Sequence, residues 1–123
     1  LMIALALSSA AVFVNAIFEL RSFGPERINV ETWRSFGFLV FAGLYALLAF
    51  FPRRMPGVWE LVVFHKVSVS VFLSFFGGAS PDASVAGTTD TIILVDSILA
   101  GTTLVSYVLA QGWRSWLNPT SAK

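Results

Sequence analysis

The sequence predicts an all-α protein, a four-helix transmembrane bundle that forms one domain over residues 1–123. Three observations indicate this: a low content of charge, four long apolar runs, and tryptophans at the ends of those runs. The chain is 56% hydrophobic and 12% charged, whereas soluble domains carry about 25% charged residues. So few charges cannot cover the surface of a soluble domain. We therefore expect a multi-pass integral membrane protein whose surroundings are the lipid bilayer.

Four apolar runs mark the predicted spans, near residues 1–20, 33–51, 57–77 and 90–112. A helix crosses the hydrocarbon core in about 17–25 residues. None of the runs sustains the apolar–polar alternation of a strand. Within lipid only helices and closed barrels satisfy every backbone polar group, and four segments cannot close a barrel. The runs are therefore expected to be helices.

The first run has two interpretations. Residues 14–16, "VNA", have the small-residue pattern of a signal-peptide cleavage site. No positively charged segment precedes the run, however, which favours a retained span. Because the sequence begins at Leu1 rather than Met, we expect further residues to precede it.

Three polar links, over residues 21–31, 52–57 and 77–90, separate the runs. The third is small and polar and has no cation. Tryptophans at span ends are typical of the aromatic belt at the membrane interface. The four tryptophans that fit this pattern are Trp33, Trp59, Trp113 and Trp116.

Membrane orientation is expected to follow the arginine and lysine content of the short links. The side of the second link holds four cations and the other side three, which favours both termini in the cytoplasm. The first group is Arg53, Arg54, Arg114 and Lys123, and the second is Arg21, Arg27 and Arg34.

A lysine near the middle of the third run is the strongest indication of a site. Placing Lys66 at the bilayer centre costs about 2.5–3.5 kcal/mol, so we expect it to face the bundle interior beside a partner. Asp96 in the fourth run lies at a similar depth, with an offset of about 6 Å at 1.5 Å per residue. Glu19 ends the first run on the same side. The sequence therefore predicts a possible triad of Lys66, Asp96 and Glu19.

The triad has two interpretations. It is either a buried ion pair that fixes helix register or joins a second subunit, or a site for a proton or a ligand. His65 is expected to be a packing residue, although a role as a pH switch stays open. The remaining candidates are the polar side chains of the first and second runs, Asn15 and Tyr45.

Composition excludes several kinds of site. The chain has no cysteine and one histidine, so disulfides, thiolate metal sites and histidine-built metal centres are not expected. It has no basic stripe, and we expect no nucleic-acid partner. We also expect no cofactor and no metal.

Residues 33–54, "WRSFGFLVFAGLYALLAFFPRR", carry a family resemblance. An arginine, small residues, a glycine-containing apolar run and a basic turn together resemble the second span of the DoxX-like small four-helix membrane proteins. The resemblance implies a small membrane subunit or accessory protein. It identifies no functional residue.

Two functions follow from these observations. The first is a small integral membrane subunit or accessory protein that binds a protein partner or a lipophilic ligand within the bilayer. The alternative is a membrane-embedded enzyme, such as an isomerase, or a carrier that acts on a hydrophobic substrate. In that case Asp96 or Glu19 would be the acid or base, and Lys66 would stabilise a developing anion.

Overall fold

Helices account for nearly all of the chain that the computed structural model describes, residues 1–76 and 88–117. Four long helices are each long and apolar enough to cross a membrane. The prediction of an all-α fold with four long helices is thus confirmed, and this architecture suits a multi-pass membrane protein. The elements are α1 (Met2–Glu19), a 3₁₀ turn (Leu20–Ser22), α2 (Pro25–Phe50), α3 (Val58–Phe76), α4 (Thr89–Ala110) and the short α5 (Arg114–Leu117).

The second helix begins at Pro25, eight residues before the position expected from hydropathy. Gly24 is extended and Pro25 occupies the first turn, where the fixed φ of proline favours helix initiation. Glu31 then forms ion pairs with Arg27, four residues before it, and with Arg34, three residues after it. Residues at these spacings are neighbours on a helix surface. The predicted link over residues 21–31 is therefore largely helical.

The fourth helix begins at its hydroxyl cap. Thr88 is the N-cap residue, and its side chain accepts a hydrogen bond from the backbone N–H of Thr91. Most of the predicted third link, residues 77–87, lies outside the described residues.

The long helices pack as two antiparallel pairs, α1 with α2 and α3 with α4, and the pairs touch each other much less. They meet at one end of the bundle, where α1 and α3 begin and α2 and α4 end. We call this the closed end and the opposite one the open end. The apolar core lies at the closed end and consists of Met2, Tyr45, Leu48, Trp59 and Val62.

Trp59 belongs to this core, in contrast to its predicted place in an interfacial belt. It is 1% exposed, and its indole N–H donates to the backbone oxygen of Pro52 at 2.8 Å. A neighbouring carboxylate is also engaged, because Glu60 accepts hydrogen bonds from Tyr107 and Trp116. These contacts join α3, α4 and α5 at the closed end.

The interior of the bundle is unusually polar for its size. The buried side chains among the described residues comprise eight hydrophobic and nine polar or charged ones. Large apolar side chains cover the outside, including Phe18 at 74% exposure and Phe75 at 80%. Lipid is the solvent that tolerates such a surface, and the distribution agrees with the membrane interpretation.

Candidate functional site

A cleft of about 1430 Å³ separates the two helix pairs over the half of the bundle near the open end. All four long helices line it. It is larger than the roughly 300–1,000 Å³ of ordinary small-molecule pockets, because the pairs diverge away from their shared core. Its apolar walls include Val12, Phe38, Val69, Leu73, Ile92 and Val95.

An ion pair lies at the inner end of this cleft. The ammonium of Lys66 on α3 donates to Oδ1 of Asp96 on α4 at 2.8 Å. The two residues are only 6% and 8% exposed, and both line the cleft. Such a charge-assisted bond is short and stronger than a neutral one. The pairing that the depths of the two residues predicted is therefore present.

Phe41 connects this ion pair to the other helix pair. Its ring lies 4.2 Å from the ammonium of Lys66, a distance at which a desolvated cation is attracted to the ring face. The ring of His65 packs 4.7 Å from the same phenyl ring. His65 also lines the cleft. Its contact with Phe41 favours the packing interpretation of the histidine over the switch.

The ion pair has more hydrogen-bond donors and acceptors than its own hydrogen bond uses. A lysine ammonium has three N–H donors and an ionised carboxylate accepts through two oxygens. Within the described part of the chain, the only hydrogen bond of the Lys66 ammonium goes to Oδ1 of Asp96. The cleft therefore presents both a donor and an acceptor at its inner end.

A second charged group lies towards the open end, and we call Arg27, Glu31 and Arg34 the mouth cluster. Glu31 is 3% exposed and sits between the two arginines. Nη1 of Arg34 lies 3.0 and 3.2 Å from its two carboxylate oxygens, and Nη2 of Arg27 lies 3.6 Å from Oε1. All three residues line the cleft.

The mouth cluster was not predicted from the sequence, because residues 21–31 were assigned to a polar link. The spacing of its members, i, i+4 and i+7, is the signal that could have found it, since that spacing sets them on one helix face. Proline at the first helical position would have extended the helix far enough to include them.

Glu19 does not join Lys66 and Asp96, and the predicted triad is corrected to a pair. Glu19 is exposed at the end of α1 and accepts a hydrogen bond from Asn15 at 2.7 Å. The reason is depth: Lys66 lies ten residues before the end of α3, about 15 Å along the axis. Asn15 lines the cleft, whereas Glu19 does not.

Tyr45 lies in the closed-end core rather than in the cleft. It is fully buried, and its hydroxyl makes no hydrogen bond within the described residues, although the Thr103 side chain is nearby. The hydroxyl of Thr103 instead donates to the backbone oxygen of Leu99 at 2.7 Å. Tyr45 is thus placed as a packing residue at the boundary of the core.

The described residues contain no group of three or more metal-ligating side chains. Comparison of the chain with protein-family models, with curated proteins and with solved structures found no match. The chemistry of the site therefore rests on its own geometry. An open apolar cleft with an ion pair at its inner end and arginines at its mouth is suited to holding an elongated molecule that is apolar along most of its length.

Proposed function

We propose that the protein is a small integral membrane protein that binds a lipophilic molecule of the bilayer in the cleft between its two helix pairs, as a subunit or accessory protein. The cleft itself is the observation that supports this proposal. Ligand sites are typically concave and mostly apolar, with a few placed polar groups that orient the ligand. Phe38 on α2 and Val69 on α3, on opposite walls, supply the apolar part, and Lys66 with Asp96 supplies the polar part.

The polar part explains why the bilayer interior would hold a lysine. An ionisable side chain in a transmembrane segment is costly and usually marks a site of function. Lys66 is paired with Asp96, and the donors and acceptors that this hydrogen bond leaves over are at the lining of the cleft. A ligand carbonyl or hydroxyl group would bind to them, and it would be held at a fixed depth.

Two glycines of α2 give a matched test. Gly37 lines the cleft and Gly43 does not. A Cβ added at either position meets no atom within 4 Å, so a larger side chain fits without a clash at its root. Gly37→Phe places a ring in the cleft, and Gly43→Phe places one elsewhere on the same helix.

The test is a mass-spectrometric count of lipophilic molecules that remain with the protein after purification in detergent. We expect Gly37→Phe to lose most of the bound material and Gly43→Phe to keep the wild-type amount. Equal retention by both variants, or no bound material on the wild type above a detergent blank, contradicts the proposal.

A second function, proton transfer on a lipophilic substrate, is favoured by one observation. The Asp96 carboxylate lines the cleft with a lysine ammonium 2.8 Å from it, so an acid or base lies beside a group that stabilises an anion. In D₂O this function predicts deuterium on carbon in the bound molecule with the wild type and none with Asp96→Asn. Binding without deuterium uptake leaves the binding function alone.

A further inference from the structure

The Lys66–Asp96 pair leaves one hydrogen-bond donor and one acceptor at the inner end of the cleft. Of the three N–H donors of the ammonium, one goes to Oδ1 of Asp96 at 2.8 Å. A second side of the ammonium faces the ring of Phe41, whose centroid is 4.2 Å away and whose face attracts a cation. One N–H donor is left over. On Asp96, Oδ2 accepts no hydrogen bond within the described part of the chain.

Oδ2 of Asp96 is open to a small molecule. Among the described residues, the only buried side-chain nitrogen or oxygen without a hydrogen bond is the hydroxyl of Tyr45. Because Oδ2 also lacks a hydrogen bond there, it must keep accessible surface, and the Asp96 side chain is 12% exposed at the lining of the cleft. The nearby serine hydroxyls donate elsewhere: Ser97 to Ser70 at 3.3 Å, and Ser70 to the backbone of α3.

One donor beside one acceptor is the pattern that a hydroxyl group matches. A hydroxyl donates one hydrogen bond and accepts up to two, so it bonds to the ammonium and to Oδ2 at the same time. A carbonyl or ether oxygen only accepts and leaves the carboxylate oxygen unpaired. A carboxylate would bring a second anion next to Asp96, and an amine would bring a second cation next to Lys66. Both of these approaches are repulsive.

The other charges at the open end give no reason to expect a charged ligand. Among the described residues at that end, the cations are Arg21, Arg27 and Arg34, and the carboxylates are Glu19, Glu26, Glu31 and Asp90. Positive and negative charge are therefore close to balance, and the ion pair adds one of each. A neutral ligand fits this balance.

Depth makes the match to a hydroxyl selective. Lys66 is the ninth residue of α3, which runs from Val58 to Phe76, and so it lies near the middle of the hydrocarbon. Lipid tails offer a hydroxyl no hydrogen-bond partner there, whereas the ion pair offers it two bonds to charged groups, each stronger than a neutral bond. Apolar walls that include Phe38 and Val69 extend from the pair towards the open end.

We propose that the cleft binds a lipid alcohol, a neutral molecule with a free hydroxyl group at the end of a long apolar chain. The hydroxyl accepts a hydrogen bond from the ammonium of Lys66 and donates one to Oδ2 of Asp96. The chain lies along the apolar walls towards the open end. This inference rests on the proposed function and specifies its ligand class.

Probes that share one chain and differ in the end group test this inference. They are oleyl alcohol, oleyl methyl ether, octadec-9-ene, oleate and oleylamine. An equimolar mixture is incubated with immobilised protein in detergent, and the bound probes are measured by mass spectrometry against protein-free resin. We expect the wild type to favour the alcohol over the methyl ether about tenfold, the ratio that one hydrogen bond to a charged group provides. The alkene and both charged probes should also bind more weakly than the alcohol.

A double variant removes the polar end of the site. Lys66→Met combined with Asp96→Leu replaces the pair by apolar side chains, a change that proteins with buried ion pairs often tolerate. We expect this variant to bind the probes but to favour the alcohol over the ether less than about threefold. Asp90→Asn is the matched control and should keep the wild-type preference, because Asp90 is on α4 but does not line the cleft.

The wild type alone decides the matter if the double variant does not fold. Equal binding of alcohol, ether and alkene, or binding of no probe, overturns this inference and leaves the proposed function in place if Gly37→Phe still loses copurified material. A wild-type preference for oleate or oleylamine overturns it too, as does a preference for the alcohol that the double variant retains. Binding of no probe, together with full retention of copurified material by Gly37→Phe, removes the proposed function as well.

Discussion

Lys66→Met removes the cation of the ion pair and leaves the Asp96 carboxylate without its partner. Asp96→Asn does the reverse. The two charges are 2.8 Å apart, on side chains that are 7% and 12% exposed, so neither variant leaves the remaining charge in bulk water. Each single change is therefore expected to destabilise the bundle, and the double change to Met and Asn is expected to recover part of the loss.

The size of the loss depends on the cleft. Breaking a fully buried pair costs about 3–5 kcal/mol. Here both residues line an open cleft, where a polar group of a ligand or water can approach the stranded charge. A stranded group can also relieve itself by changing its protonation state. We expect about 1–3 kcal/mol for each single variant and a coupling energy of about 0.5–2 kcal/mol.

Recovery is expected to be incomplete, because Lys66→Met also removes the contact between the ammonium and the ring of Phe41. That contact is lost in the single and the double variant alike and does not enter the coupling energy. It appears as a residual cost of the double variant, on the order of 1–2 kcal/mol for a desolvated cation–π contact.

Reversible unfolding in mixed detergent micelles measures the four free energies of unfolding. The control is a second cycle that combines Lys66→Met with Asp90→Asn. Asp90 lies on α4, as Asp96 does, but it is exposed near the start of that helix. The control cycle should be additive within about 0.5 kcal/mol. Additive losses in the Lys66–Asp96 cycle would refute the reasoning. If the pair also orients the ligand, the double variant regains stability while lipid binding stays weakened.

Three further predictions concern the fold. Single cysteines in place of Pro56 and Arg21, both exposed and at opposite ends of the bundle, should react with an impermeant thiol reagent from opposite sides of a sealed vesicle, and labelling from one side contradicts four spans. Gly112→Ala should cost about 1–3 kcal/mol in the free energy of unfolding by overpacking, because the new Cβ would lie 2.4 Å from an aromatic ring carbon; Gly101→Ala, with nothing within 4 Å, should be neutral or stabilising. Tyr45→Phe should leave both stability and lipid binding within about 0.5 kcal/mol of wild type, since the hydroxyl removed has no hydrogen-bond partner among the described residues; a larger loss in denaturant titration would show that the hydroxyl is engaged.

The long helices and the Lys66–Asp96 pair could be predicted from the sequence because both depend on properties that act along one dimension. Apolar runs report the length of hydrocarbon to be crossed. Counting residues from a link gives the depth of a charged residue in the membrane. That depth was enough to predict the pair, whose ammonium and carboxylate lie 2.8 Å apart. The same counting was too coarse for Glu19, at the exposed end of its helix.

The cleft could not be predicted from the sequence because it depends on how the helix pairs diverge. Hydropathy gives no angle between helices, and packing against neighbours sets tilt. The polar start of α2 was also missed, since a window that seeks apolar residues rejects Arg27 and Glu31 even where they pair on a helix surface. Trp59 shows the same limit: a tryptophan at a span end was assigned to the interface, but the closed-end core surrounds it.

The most direct test of the central claim, that the cleft holds a lipophilic molecule of the bilayer, is a crystal structure of the wild type grown from a lipidic mesophase. We predict elongated density between the two helix pairs, with a polar group beside Lys66 and Asp96 and an apolar chain along the walls of the cleft. Helix pairs packed against each other along their whole length, or a cleft filled by ordered water alone, would contradict the account.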